Sequence, residues 1–215
     1  MILRPVTLPG PPLLVITDRR QADRPLDDLA EAVFAAGGRW LLLREKDLEP
    51  GARRTLLARL LEIGRPYDAR VTVSADVQAA LETGAAGVHL PAEGDVAGAR
   101  AALGQGRTIG YSAHGPDEAA AAARAGADYV TLSPIFESES KPGYGPPLGL
   151  ELLREAAGAV PLPVVALGGV TAGNAAACMD AGAAGIAVMG PVMRAKNPGK
   201  IVEQFLAEIA AKHPV

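Results

Sequence analysis

Residues 108–133 read TIGYSAHGPDEAAAAARAGADYVTLS. The segment opens on a short β-prone run, Thr108-Ile109-Gly110-Tyr111-Ser112, and closes on another, Tyr129-Val130-Thr131-Leu132-Ser133. Between them DEAAAAARA has helical composition, and Gly126 follows it where a helix needs a stop. Both runs are apolar nearly throughout, which fits strands buried on two faces of a parallel sheet better than a half-exposed hairpin. One strand, one helix and a second strand make a βαβ unit.

The same unit recurs along the chain. Upstream lie Leu13 to Thr17, Trp40 to Leu43, Val71 to Ser74 and Gly87 to Leu90; downstream lie Val164 to Leu167 and Gly185 to Val188. Helical patterns occupy residues 26–36, 52–63, 117–125 and 198–212. Glycine stops recur at Gly37-Gly38, Gly84, Gly126 and Gly182, and Thr171 or Asn174 is positioned to cap the helix after the seventh run. Eight units over 215 residues leave about 27 apiece. The count of eight, with no GxGxxG turn after the first run, predicts an α/β fold of the (β/α)8 TIM-barrel type rather than a doubly wound open sheet. No internal linker is visible, so residues 1–215 read as a single domain.

Composition narrows the function. With 21 basic against 24 acidic residues the formal charge is −3, without the basic footprint of a nucleic-acid binder. The opening stretch MILRPVTLPGPPLLVITD is too broken by proline and arginine for a spanning helix or a secretory leader. The single cysteine, Cys178, excludes an internal disulfide and reads as an inert helix thiol, so a cytoplasmic location is expected.

A barrel of this type carries its chemistry at the C-terminal ends of its strands. Run two ends in Arg44-Glu45-Lys46. In an extended segment Arg44 and Lys46 point to one side, a pair of cations suited to phosphate, unless the triplet is only a solvated surface. Runs seven and eight end in Gly168-Gly169 and Met189-Gly190, where backbone amides can approach an anion closely. After run six, SPIFESESKPGYGPPLG is the longest stretch without periodicity and is expected to be a binding loop, with Ser138, Ser140 and Lys141 on an anionic substrate. His114, just past run five, can move protons near neutral pH or serve only as a structural histidine at a helix start. His89 lies inside a run and reads as packed core; His213 reads as without a role.

These strand ends carry a resemblance. Arg44-Glu45-Lys46, Gly87-Val88-His89-Leu90, Ile109 to His114, Gly126 to Val130, the Ser133 to Gly149 loop and Ala166 to Val170 stand in the order and spacing of the thiamine phosphate synthase/TenI superfamily. The chain resembles it from Leu14 to about Phe205, and the family fold is a (β/α)8 barrel. The synthase branch joins a pyrimidine diphosphate to a thiazole phosphate and uses magnesium, held by aspartates in Asn-Asp after strand three and Gly-Gln-Glu-Asp after strand four. Here those motifs fall on Ser74-Ala75 and Pro91-Ala92-Glu93-Gly94, with Asp76 and Asp95 nearby but out of register.

The missing aspartates, His89-Leu90-Pro91 and the SKPGYGPPLG loop are similar to the TenI branch, whose thiazole tautomerases need no metal. The resemblance therefore implies a thiazole tautomerase without cofactor. His114, Ser112 and Lys46 would do the catalysis, and Arg44, Ser138, Ser140, Lys141, Gly168, Gly169, Met189 and Gly190 would hold the substrate. The alternative is a thiamine phosphate synthase with Lys46, Ser138 and Lys141 around the diphosphate and magnesium on Asp76 or Asp95. A non-catalytic binder of the same phosphate ligand is a further alternative. The expected partner is a small thiazole phosphate, with no nucleic acid and no membrane, and related barrels suggest a homodimer.

Overall fold

A computed structural model describes residues 7–137 and 146–212. Eight parallel strands, β1 (Leu13–Ile16), β2 (Trp40–Leu43), β3 (Arg70–Ser74), β4 (Gly87–Leu90), β5 (Thr108–Ala113), β6 (Tyr129–Leu132), β7 (Val164–Leu167) and β8 (Gly185–Val188), close in sequence order. β8 returns to β1 through the pairs Leu13–Ile186, Leu14–Ala187 and Val15–Val188. The (β/α)8 barrel expected from the eight runs is the observed fold. Around it lie α1 (Leu26–Ala35), α2 (Pro50–Gly64), α3 (Val77–Thr83), α4 (Val96–Leu103), α5 (Pro116–Ala125), α6 (Gly149–Ala159), α7 (Ala172–Asp180), the single turn α8 (Gly190–Met193) and α9 (Pro198–Lys212).

Glycine ends the helices where the sequence puts it. Gly37, Gly84, Gly126 and Gly182 all have φ between 75° and 100°, a region that side-chain-bearing residues rarely enter. At the start of α7 the Thr171 amide donates to Asn174 Oδ1 at 2.7 Å, so both residues named as candidate caps take part.

Strand alternation divides the core in two. Outward residues such as Val71, Val73, Val88, Ile109, Val130 and Ile186 pack under the helices, with Leu29, Phe34, Leu57, Ala119 and Phe205. Inside the barrel Leu14, Ile16, Trp40, Leu42, Tyr129, Val165 and Ala187 form a second cluster. Trp40 and Tyr129 meet edge to face with ring centroids 4.8 Å apart, filling the bore of a chain otherwise poor in aromatics. Cys178 is buried in α7, and burial pushes its thiol up to about 11, as an inert thiol requires. Among the described residues no helix is long and apolar enough to cross a membrane.

Candidate active site

The strands' C-terminal ends surround one mouth. Its β2 side is more ordered than a solvated triplet. Glu45 is buried, and its carboxylate accepts from the Arg19 amide at 3.1 and 3.3 Å and from Arg19 Nη1 at 3.1 Å. Arg19 also grips both Asp47 oxygens at 2.6 Å. This exposed fork holds the Asp47 carboxyl far below the usual aspartate range. Arg44 is half-buried, with its amide donating to Thr17 Oγ1 at 3.0 Å. Lys46 is exposed and lies in a turn, because the strand ends at Leu43. Strand alternation therefore does not pair Arg44 with Lys46, a correction to the extended reading of the triplet.

Opposite Arg44 the bore is polar. His89 is almost fully buried; its Nδ1 lies 2.9 Å from the Tyr129 hydroxyl, and its Nε2 lies 3.0 Å from Ser112 Oγ and 3.3 Å from Thr131 Oγ1. Burial, with a smaller push from the Arg44 charge, lowers the His89 pKa to about 4, so the ring is neutral at pH 7. Burial also raises the Tyr129 phenol well above its ordinary value. His89 is core, as the sequence implied, but hydrogen-bonded core beneath the mouth. Sequence reasoning missed this network. The signal was Gly110 in mid-strand, since a glycine there marks a close approach of other groups.

His114 sits at the rim instead. Its amide and Nδ1 face Glu118 Oε2 at 2.9 and 3.2 Å across the first turn of α5. Ser112 lies in the bore network, so the two residues paired in the sequence reading occupy different surroundings.

On the β7 and β8 side, Gly168 and Gly169 have φ of 91° and 65°. A Cβ on Gly168 would stand 2.7 Å from Pro134 Cα, and one on Gly169 would stand 2.3 Å from the Glu137 carbonyl oxygen. Glycine is thus needed there to seat the start of the 133–149 loop, whatever the turn binds. The loop's ends are pinned. The amides of Ile135 and Phe136 donate to the carbonyls of Leu167 and Gly168 at 2.9 and 3.0 Å, and those of Leu148 and Gly149 donate to Pro134 and Ile135 at 2.8 and 3.0 Å. Met189 and Gly190 lead into α8 beside this turn. Ser138, Ser140 and Lys141 lie outside the described residues, as does His213.

The two aspartates held as metal candidates make other contacts. Asp76 Oδ1 accepts from the Ala79 amide at 2.8 Å and caps α3, while Oδ2 takes Arg53 Nε and Nη2 at 2.9 and 2.6 Å. Partial burial opposes its charge, but the amide and the guanidinium prevail and hold the carboxyl below the usual range. Asp95 Oδ1 accepts from the Gly98 amide at 2.8 Å and caps α4. Ala75, where the resemblance expects an aspartate, has φ of 58° and is exposed. Among the described residues no three histidine, cysteine or acidic side chains gather closely enough for a metal ion. Asp76 and Asp95 both serve as helix N-caps.

Comparison with known proteins bears on the branch. A family model described as thiamine monophosphate synthase matches residues 13–192. A putative thiamine-phosphate synthase of Geobacter sulfurreducens is 39% identical over 197 residues, covering 91% of this chain and 92% of that protein. A thiamine-phosphate synthase of Roseiflexus castenholzii is 39% identical over 200 residues, covering 92% and 87%. Among solved structures, a thiamine phosphate pyrophosphorylase from Pyrococcus furiosus matches with a TM-score of 0.85 and 30% identity, over 94% of this chain and 96% of that one. These likenesses overturn the expectation of a tautomerase. That expectation rested on absent aspartates, and relatives alike along nearly their whole length are named as synthases. By its sequence, its barrel and these likenesses, the chain belongs to the thiamine monophosphate synthase family.

Proposed function

We propose that this chain is a cytosolic thiamine-phosphate synthase, joining hydroxymethylpyrimidine diphosphate to thiazole phosphate. The observation that carries this reading is the near end-to-end likeness, at 39% identity, to proteins named as synthases. In the reaction the thiazole nitrogen lone pair forms a bond to the pyrimidine methylene carbon. The carbon–oxygen bond to the diphosphate breaks, and pyrophosphate leaves with that electron pair.

The mouth supplies what such a step needs. The leaving diphosphate gathers negative charge, so cations aimed at it lower the barrier. Arg44, half-buried and with no carboxylate partner among the described residues, is the first such group, and Lys46 is the second. The turns at Gly168-Gly169 and Met189-Gly190 are assigned to the thiazole phosphate, because the Gly169 amide has no backbone acceptor among the described residues. Ser112 offers its hydroxyl to a ring or phosphate acceptor from the floor of the mouth.

Synthases of the resembled branch use magnesium. The residues after β3 and β4 do not fit such an ion: Asp76 caps α3 and holds Arg53, Asp95 caps α4, and Ala75 and Gly94 bear no side-chain oxygen. No step is therefore assigned to a metal.

The test is a coupling assay with purified protein and both phosphorylated halves, with magnesium in one tube and EDTA in the other. Thiamine phosphate is read by oxidation to its fluorescent product. Product in either tube is expected, and product in neither overturns the proposal.

A further inference from the structure

The bore holds a hydrogen-bond chain whose direction can be worked out. The chain runs Tyr129, His89, Ser112, and it rests on a gap in the sheet. Gly110 is paired with His89 on one side and with Tyr129 on the other. A Cβ on Gly110 would lie 2.2 Å from Tyr129 Cζ and 2.4 Å from His89 Nδ1. The missing side chain on β5 therefore lets side chains from β4 and β6 meet across it. Strands that are not neighbours share a contact only because the strand between them carries glycine.

Direction follows from counting protons and comparing the lengths of the two competing bonds. Tyr129 is fully buried, and among the described residues its hydroxyl has no acceptor in reach other than His89 Nδ1. If Nδ1 carried the imidazole hydrogen and donated to the phenol, the phenol's own hydrogen would be buried without an acceptor. With the phenol donating, Nδ1 accepts and the ring hydrogen sits on Nε2, because the bond made by one ring nitrogen sets the state of the other. Thr131 is fully buried too and could instead donate to Nε2, but that contact is 3.3 Å against 2.9 Å for the Tyr129 hydroxyl, so the shorter bond decides; the Nε2 hydrogen then points at Ser112 Oγ at 3.0 Å, with Thr131 Oγ1 a longer second acceptor. Ser112 Oγ accepts from below, and its own hydrogen has no acceptor among the described residues, so it is left for the mouth.

We propose that Tyr129 is a positioning residue: by donating to Nδ1 it holds His89 as the Nε2–H tautomer, and that hydrogen turns the Ser112 hydroxyl into a donor facing the mouth. The ligand atom seated against Ser112 is then an acceptor, a bare ring nitrogen or a phosphate oxygen. The tautomer stands without any functional reading, whereas the ligand half rests on the proposed synthase reading.

Nitrogen-15 NMR of histidine-labelled protein tests the tautomer without ligand. The chain has three histidines, so the double variant His114→Asn, His213→Asn leaves His89 as the sole signal. The expected spectrum shows Nε2 protonated and Nδ1 bare; the reverse overturns the proposal. In Tyr129→Phe the ring is expected to exchange between tautomers, while an unchanged Nε2–H spectrum in a variant of wild-type Tm overturns the role of Tyr129. Ser112→Ala supplies a second arm that leaves the Tyr129–His89 bond in place and leaves Thr131 Oγ1 to accept from Nε2. It should keep the Nε2–H tautomer yet weaken binding of hydroxymethylpyrimidine diphosphate or of thiazole phosphate roughly five- to tenfold, one hydrogen bond's worth. Unchanged affinity for both overturns the donor role of Ser112. If neither probe binds the wild type, the synthase reading fails, and the spectra still decide the tautomer.

Discussion

The two halves of the barrel bore are built on different chemistry. Strands β3 to β6 turn Thr72, Ser74, His89, Ser112, Tyr129 and Thr131 inward, while β7, β8, β1 and β2 turn in Val165, Leu167, Ala187, Met189, Leu14, Ile16, Trp40 and Leu42. The aliphatic half needs only volume. Its polar exception, Trp40 Nε1, is buried with no hydrogen-bond partner among the described residues. The polar half must satisfy each group it buries, so every residue there depends on the register of its neighbours.

The sharpest way to break this contrast is Gly110→Ala. The new methyl group has no space between Tyr129 and His89, so the polar half must come apart. A loss of about 3 kcal/mol is expected in urea unfolding, the upper end for overpacking. A loss under about 1 kcal/mol would mean that the network yields easily.

Next comes pH. The His89 pKa falls from 6.5 to about 4 on folding. Between those values the unfolded chain binds a proton that the folded chain refuses. Stability from this group is therefore complete above pH 6.5 and lost as pH falls toward 4, by about 3 kcal/mol at most. Urea midpoints at pH 7.5 and pH 5 should differ, and His89→Gln should remove most of that difference. An equal slope in the variant would place the acid sensitivity elsewhere.

At the edge of the polar half, Asp76→Ala should cost about 2 kcal/mol, because both the α3 cap and the Arg53 partner are lost. Asp76→Asn should recover the cap portion. If coupling activity collapsed while stability held, Asp76 would be acting on substrate instead of on its helix. The smallest effect belongs to the aliphatic half: Leu42→Met should cost about 1 kcal/mol, as volume-conserving swaps do, with little change in ligand affinity.

The fold was legible because each of its decisions is local. Eight apolar runs, helical spacing and glycine stops at 37, 84, 126 and 182 are written within a few residues of where they act. The tight turn at Gly168-Gly169 is legible for the same reason, as positive φ at each glycine shows. Alternation pairs Arg44 with Lys46, but the strand ends one residue earlier, and nothing near Glu45 in sequence announces that Arg19, 26 positions away, draws it inside. His89 was read alone, while its meaning comes from two other strands and an empty position between them. The aspartates near β3 and β4 were weighed as ligands because sequence shows a carboxylate, not the helix amide in front of it.

The bridged base of the 133–149 loop has a consequence for how this barrel tolerates change. Leu148 and Gly149 return to the carbonyls of Pro134 and Ile135, the points from which the chain set out. The excursion is thus a closed ring hung on the β6–β7 joint, and the spacing of those strands does not depend on its length. Doubling such a ring costs only about 0.6 kcal/mol in closure entropy. Changes in the length of this excursion therefore leave the register of the eight strands untouched.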